Sequence, residues 1–252
     1  MTNHEFVQAA LSIARNYKTL YVNGTWGWPM NEANKARCLS NPYNEKPARA
    51  AKIRAASPDT FGFDCCGLIK GIIWGWTGDP SQRYGGAGYK INGLPDINEA
   101  GMIAISSPSE DFSGIVPGAV VWRPGHIGIY AGHGLSIEAT PSWADGVQIT
   151  ACNKPVARFK TRTWTKWGKF PYIIYKDEEV DPMTYDQFKD YMDRYLRELQ
   201  QRPADEYAAQ ALEWAKSEGI MEGSGTGNLM PQSPVKRQDL AVMLQRLAGA
   251  SE

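Results

Sequence analysis

Cys65, His126 and Glu138 are the residues of this chain whose types and order suit covalent catalysis. A thiol becomes a strong nucleophile when a base takes its proton and a third group orients that base. Cys65 lies in Phe61-Gly62-Phe63-Asp64-Cys65-Cys66-Gly67, directly ahead of Leu68, Ile69, Ile72, Ile73 and Trp74 at helical spacing. The pattern predicts a helix opening at Asp64 or Cys65, with Asp64 as its N-cap. A cysteine in that first turn feels the positive end of the helix dipole, which favours thiolate over thiol. Gly67 lets the turn approach another backbone closely. On these residues alone, a pair of buried structural cysteines is an equally good reading.

The base follows downstream. Pro117-Gly118 opens a turn, Ala119 to Trp122 reads as a strand, and Arg123-Pro124-Gly125 breaks it. His126 to Tyr130 alternates as a strand, Ala131-Gly132-His133-Gly134 turns, and Leu135 to Ala139 returns. A hairpin centred near Gly132 sets His126 opposite Glu138 on one face. The carboxylate then holds one imidazole nitrogen and leaves the other for a thiol. His133, between glycines at the hairpin tip, reads as a solvated turn residue.

These segments resemble the NlpC family of papain-like peptidoglycan cysteine peptidases. The resemblance rests on Asp64-Cys65-Cys66-Gly67-Leu68-Ile69, on Pro117-Gly118 followed by a strand and His126-Ile127-Gly128-Ile129-Tyr130, and on Glu138 twelve residues after the histidine. Tyr21-Val22-Asn23-Gly24 is similar to the family's Tyr-x-x-Gly segment, whose tyrosine faces the nucleophile. The resemblance implies Cys65 as nucleophile, His126 as base and Glu138 as the orienting group, and Tyr21, Asp64 and, from its place in the loop, Trp26 are the candidate substrate-binding residues. Cys66 stands where the family usually has serine, and Glu138 where histidine, asparagine or glutamine is commoner. A carboxylate still orients the ring, and it favours the imidazolium form. Trp26 and Trp28 are candidate substrate platforms, with packing against the first helix as the alternative.

The elements that must position these residues form an α+β architecture of the papain-like NlpC type, a nucleophile helix packed on an antiparallel sheet. Asn3 to Arg15 reads as an amphipathic helix capped by Asn3. Tyr21 to Asn34 fits a cleft-lining loop, and Asn41 to Pro58 a solvated helix or loop. Ile97 to Ile105 looks helical, Gly146 to Thr150 reads as a strand, and Trp164 to Tyr175 closes the domain on a last strand.

The expected catalytic domain spans residues 1–176, with a charged, Pro-terminated linker at 177–183 and a helical tail at 184–252. In the tail, Tyr185, Phe188, Met192, Tyr195 and Leu199 make a heptad-like stripe before Pro203. A second helix runs from Glu206 to Glu218, and Ser233-Pro234 starts a third. Ala211 to Leu247 is similar to a single S-layer homology repeat, through Trp214-Ala215, Gly219-Ile220-Met221-Glu222-Gly223, Pro234-Val235 and Leu240 to Leu247. That resemblance implies attachment to wall polymers. A lone repeat buries little of its own face, so these helices suit wall binding or a homo-oligomer.

Composition sets the outer bounds. Lys plus Arg and Asp plus Glu are equal at 27 each, which gives no sign of nucleic acid or anionic membrane binding. No apolar run approaches the roughly 20 residues that span a bilayer, and residues 1–6 lack a signal-peptide pattern. The expectation is a chain made in the cytoplasm that acts on the wall after release, as phage or prophage lysins do. Three histidines without a His-Glu-x-x-His spacing offer no metal ligand set, and no cofactor is expected. Four cysteines, two adjacent, do not make a disulfide framework. The expected function is peptidoglycan hydrolysis at a stem-peptide amide, for which the resemblance implies γ-D-glutamyl bonds first. The alternatives are the muramoyl–L-alanine amide, a small or lipid amide, and a non-catalytic wall-binding protein.

Overall fold

The structure, a computed structural model, describes residues 1–176, 185–223 and 227–249. The chain divides into two compact units, Met1–Asp177 and Glu178–Glu252. The linker expected at 177–183 lies outside the described residues.

The first unit is α+β. It opens with α1 (Asn3–Asn16), β1 (Thr19–Tyr21), β2 (Trp26–Pro29), α2 (Glu32–Leu39), α3 (Pro47–Ala55), β3 (Phe61–Phe63) and α4 (Cys65–Ile73). There follow α5 (Glu99–Ala104), β4 (Val120–Arg123), β5 (His126–Gly132), β6 (Leu135–Thr140), β7 (Gly146–Cys152), β8 (Thr161–Arg162) and β9 (Lys166–Gly168). β1, β3 and β2 make a small three-stranded sheet in that order, and the rest make a six-stranded sheet ordered β8-β7-β6-β5-β4-β9. Its pairings are antiparallel except β7 with β8.

α4 is buried along its whole length, which is why its sequence is apolar apart from Lys70, whose ammonium pairs with Asp96. Leu68, Ile69, Ile72 and Ile73 pack with Phe6, Ala10 and Ile13 of α1 and with Ile127, Ile129 and Ile137 of the large sheet. Burying such a side chain is worth about 1.5–3 kcal/mol, so this seam fixes α4 against β5. Asp145 joins the two sheets: its carboxylate takes Arg49 Nη1 at 2.6 Å and Lys52 Nζ at 2.5 Å, and its carbonyl accepts Tyr21 N–H at 3.2 Å.

Several expectations change in detail. α1 is capped by Thr2 in a capping box with Glu5, not by Asn3. Asn3 is buried instead, donating through Nδ2 to Pro117 O at 3.2 Å and accepting Lys176 N–H at 3.2 Å. The segment 21–34, expected as a loop, contains β2, whose Trp28 is buried with Val22, Met30 and Cys38 rather than against α1. Residues 172–175 supply a single bridge, Ile174 to Thr2, because the last paired strand is β9.

In the second unit the helices are α6 (Tyr185–Gln201), α7 (Glu206–Ser217) and α8 (Arg237–Gly249). α6 stops before Pro203, which lacks the N–H needed to continue it. Ser233-Pro234 sits in a turn, so α8 begins three residues later than the sequence suggests. Ala215 and Ile220 are buried among the described residues of this unit, while Tyr191, Tyr195, Tyr207, Trp214, Leu240 and Leu244 are exposed.

Candidate active site

The site is built where the start of α4 meets the start of β5. Asp64 is the N-cap of α4: Oδ1 accepts Gly67 N–H at 2.6 Å, and Oδ2 accepts Gly24 N–H at 2.7 Å. One carboxylate thus closes the helix and ties down the Tyr21–Gly24 segment. Gly67 has to be glycine, since a Cβ there would lie 1.8 Å from Thr25 O. Burial first, then the adjacent Cys65 charge, pushes the Asp64 carboxyl up to about 7 against its two N–H donors.

Cys65 therefore occupies the first position of α4, nearly enclosed at 8% exposure. The Cys66 thiol hydrogen-bonded to it is the strongest influence on its acidity. The His126 ring and the Ile127 N–H add to this, and together they outweigh burial and draw the Cys65 thiol well below the usual range. Cys66 moves the opposite way, raised by that same bond and by burial, so it remains the protonated donor. Tyr21, on the other side, is raised by burial and by the Cys65 and Asp64 charges, which places its hydroxyl in their field as a neutral group.

His126 Nε2 and Glu138 Oε2 are 2.6 Å apart. Burial lowers the basicity of the ring, but its bonds to Cys65 and Glu138 outweigh this and raise it. Since Nε2 faces Glu138, Nδ1 is the nitrogen left for the thiol. The expected register needs correcting. Ile129 pairs with Ile137 and Tyr130 with Ser136, so the hairpin centres one residue later than Gly132, with a bulge between Tyr130 and Gly132. Continued along the strands, this register sets Glu138 opposite Gly128 and diagonal to His126. The two side chains still share a face, and glutamate is long enough to reach the diagonal neighbour.

Glu138 is wholly buried and fully engaged. Thr150 Oγ1 donates to Oε1 at 2.7 Å, and Arg162 Nε lies 3.1 Å from Oε1 and 3.0 Å from Oε2, with Nη2 2.8 Å from Oε2. Burial alone would raise this carboxyl, but His126 and Arg162 hold it below its usual value. Trp164 stacks flat on His126, with centroids 5.3 Å apart and planes at 10°, and donates Nε1–H to Ser136 Oγ at 3.1 Å. Gly128 makes room for it and for the neighbouring strand, because a Cβ there would stand 2.9 Å from Ile137 O and 3.0 Å from the indole.

The structure thus brings Tyr21, Asp64, Cys65, His126 and Glu138 together. Trp26 lies in an aromatic group with Trp28, Trp74, Tyr84 and Tyr89. Sequence reasoning passed over Arg162, Thr150 and Trp164, which come from the short β8, from β7 and from the segment after β8. One oxygen of Asp64 and the two sulfurs of Cys65 and Cys66 lie within 4.8 Å of one another, as a cation site would require. Both Asp64 oxygens already accept backbone N–H groups, so this cluster serves capping and thiol ionisation. Cys38 and Cys152 are free thiols in separate apolar clusters, pushed up by burial to about 12 and about 11. His133 is an exposed turn residue.

An α+β unit with a thiol, an imidazole and a carboxylate in sequence is what the fold and geometry define. For the second unit, residues 202–241 match the S-layer homology domain, a span running from just before α7 into α8. No curated protein matches the chain. A cleft of about 320 Å³ straddles the end of the matched region and the rest of α8, lined by Ile220, Met221, Pro234, Val242 and Met243, with Glu222 and Arg246 paired at 3.1 Å. No helix among the described residues is long and apolar enough to cross a membrane.

Proposed function

We propose that the first unit is a cysteine peptidase or amidase that hydrolyses peptidoglycan, and that the second holds it on the cell wall. The observation that carries the first half is the Cys65–His126–Glu138 arrangement, with an acidified thiol and a ring anchored through Nε2. Cys65 thiolate attacks the carbonyl carbon of a stem-peptide amide and forms a tetrahedral oxyanion. The N-terminus of α4 offers the positive dipole end that stabilises it. His126 Nδ1–H gives its proton to the leaving amine, leaving a thioester on Cys65. His126 then takes a proton from water, whose oxygen attacks the thioester and frees the new carboxylate. Glu138 stays ionised throughout and keeps the ring in place.

The papain-like NlpC resemblance, which rests on the Asp64-Cys65-Cys66-Gly67 and His126 segments, favours a γ-D-glutamyl bond to the diamino acid. The muramoyl–L-alanine amide comes second. Mass analysis of fragments released from purified walls tests this. New amino termini on the diamino acid are expected; new ones on L-alanine point to the amidase, and reducing sugar ends exclude the thiol mechanism.

A second reading, a wall-binding protein without catalysis, is favoured by the S-layer homology match, which supports wall association and needs no thiol. Wild-type and Cys65→Ala proteins that bind walls equally well and release no fragments from them would establish it. For the second unit we also propose self-association through its exposed faces, where Met192, Tyr195, Trp214 and Leu244 stand in water. Wall polymers would then meet several weak sites on one particle.

A further inference from the structure

We propose that Arg162 is a positioning residue of this site. Its guanidinium, fixed between the Trp143 ring and the Glu138 carboxylate, holds that carboxylate on His126 Nε2 and balances its charge. The proposal rests on reading Cys65 and His126 as nucleophile and base, and it adds a member that the sequence motif does not contain.

Glu138 has no exposed surface, and an ion buried this deeply needs compensation. Thr150 supplies one neutral hydrogen bond. Without a resident cation, the remaining compensation would have to come from His126, which would then have to stay protonated. Arg162 removes that demand. It grips both carboxylate oxygens through Nε and Nη2, and its NH2 group also reaches Thr140 Oγ1 at 3.2 Å. β8 is only two residues long and pairs in parallel with β7, which aims Arg162 along the sheet to β6.

The outer face of the guanidinium is covered. Trp143 lies over it with the ring centroid 4.5 Å from Cζ. Trp143 adopts φ of +57°, a conformation unfavourable for a bulky residue, and the residue is still 45% exposed. Strain together with exposure is hard to explain by core packing, and the contact it makes is the one that locks Arg162. The charged or titratable groups around the imidazole are then Cys65 with Asp64 and Cys66 at the start of α4, Tyr21 on β1, Arg123 paired with His126 on β4, Glu138 on β6 and Arg162 on β8. Of these, Arg162 is the cation bonded directly to the ring's carboxylate partner.

Chemically, a His126–Glu138 pair stripped of Arg162 holds its proton to higher pH. The ring then gives that proton up to the leaving amine less readily, and the neutral form that the water step needs is scarce at neutral pH. A balanced carboxylate orients the ring without trapping it as imidazolium.

The test uses the full chain with isotope-labelled histidine, following the His126 ring by NMR across pH and assigning it by its loss in His126→Gln. In Arg162→Gln, with folding checked by near-UV circular dichroism, the His126 transition should move to higher pH. Wall hydrolysis at pH 7 should fall about tenfold or more. Arg162→Lys, which restores the charge without the fork, should bring the transition back toward wild type. A purely structural arginine would lower the melting temperature and leave the titration curve in place, and that result in a folded Arg162→Gln overturns the proposal. If Arg162→Gln does not fold, Trp143→Ala decides: a smaller shift in the same direction supports the assignment, and an unmoved curve overturns it. The histidine titration needs no turnover. A Cys65→Ala protein that still hydrolyses walls would therefore remove the thiol-hydrolase reading while the NMR result on Arg162 stands by itself.

Discussion

Glu138 reaches His126 diagonally, 2.6 Å from Nε2, from a backbone position facing Gly128. The vacancy at Gly128 admits the Trp164 ring, which covers one face of the imidazole while the carboxylate fixes its edge. Two constraints at right angles leave the ring one orientation, with Nδ1 toward the thiol. The expected consequence is that Gly128→Ala, whose methyl would stand 2.9 Å from Ile137 O and 3.0 Å from the indole, shifts β6 and displaces Trp164. It should lower both the rate of wall hydrolysis and stability, and kcat together with urea unfolding checks this.

Replacing Cys65 by alanine should abolish hydrolysis. Cys66→Ser should retain most of it, because a hydroxyl also donates to the Cys65 sulfur. Cys66→Ala removes the strongest influence holding the thiol down, so its ionisation should move to higher pH. Iodoacetamide labelling followed across pH and mapped to peptides reads both effects. Preferential labelling of Cys66 in the wild type would reassign the nucleophile.

The pH profile follows from opposite shifts. Cys65 is lowered and His126 raised, so the thiolate–imidazolium pair exists between the two. Activity should climb below the usual thiol value of about 8.5 and decline above the usual imidazole value of about 6.5. Both limbs belong to the coupled pair rather than to either residue. The same shifts act on stability. The raised histidine contributes stability that is fully present at low pH and is lost as pH rises through its folded value. The lowered cysteine and glutamate contribute stability that is lost as pH falls through theirs. Kinetics and melting temperature across pH 3–10 should both show a maximum in that window, and a stability maximum at the alkaline end would contradict it.

Glu138→Gln should fold and keep partial activity, since an amide oxygen still accepts from Nε2. Glu138→Ala is a different case. It leaves Arg162, 14% exposed, as an uncompensated buried cation, at a cost of about 3–5 kcal/mol. Urea unfolding of the two variants should separate them, and equal destabilisation would mean that the ion pair contributes little.

For Gly67→Ala the expected loss is about 3 kcal/mol or more, because the new methyl would stand 1.8 Å from a backbone oxygen with no flexible neighbour to yield. The start of α4 would move with it, so wall hydrolysis should vanish even in protein that still folds.

Light scattering on the full chain and on a chain ending at Lys176 tests self-association. The first should be oligomeric and the second monomeric, and a monomeric full chain ends that idea.

Much of the site was legible because its parts are local in sequence. Asp64 before an apolar helix announces a cap, and Gly67 announces a close approach. A His–Ile–Gly strand after a turn announces an edge that can present a ring. The pieces that escaped are those created by chain folding. Arg162 sits on a strand too short to show any alternation, and it joins the site through a parallel pairing that no hairpin logic suggests. The register moved because the turn closes at His133-Gly134, with Gly132 already paired to Leu135, and alternation reveals neither that nor the irregularity between Tyr130 and Gly132. β2 was hidden for a related reason, since Trp26-Gly27-Trp28-Pro29 looks like loop chemistry and becomes a strand only by pairing with β3.

The first unit begins and ends at one spot. Asn3 N–H donates to Ile174 O at 3.0 Å, Ile174 N–H to Met1 O at 3.0 Å, and Lys176 N–H to the Asn3 side chain. A body whose two ends are stitched together can be opened elsewhere and rejoined there. Circular permutants with new ends at the exposed His133 turn should keep the fold if the old ends are bridged by a short linker. Grafting follows the same logic: this unit can be set into a surface loop of a host protein with little disturbance to either.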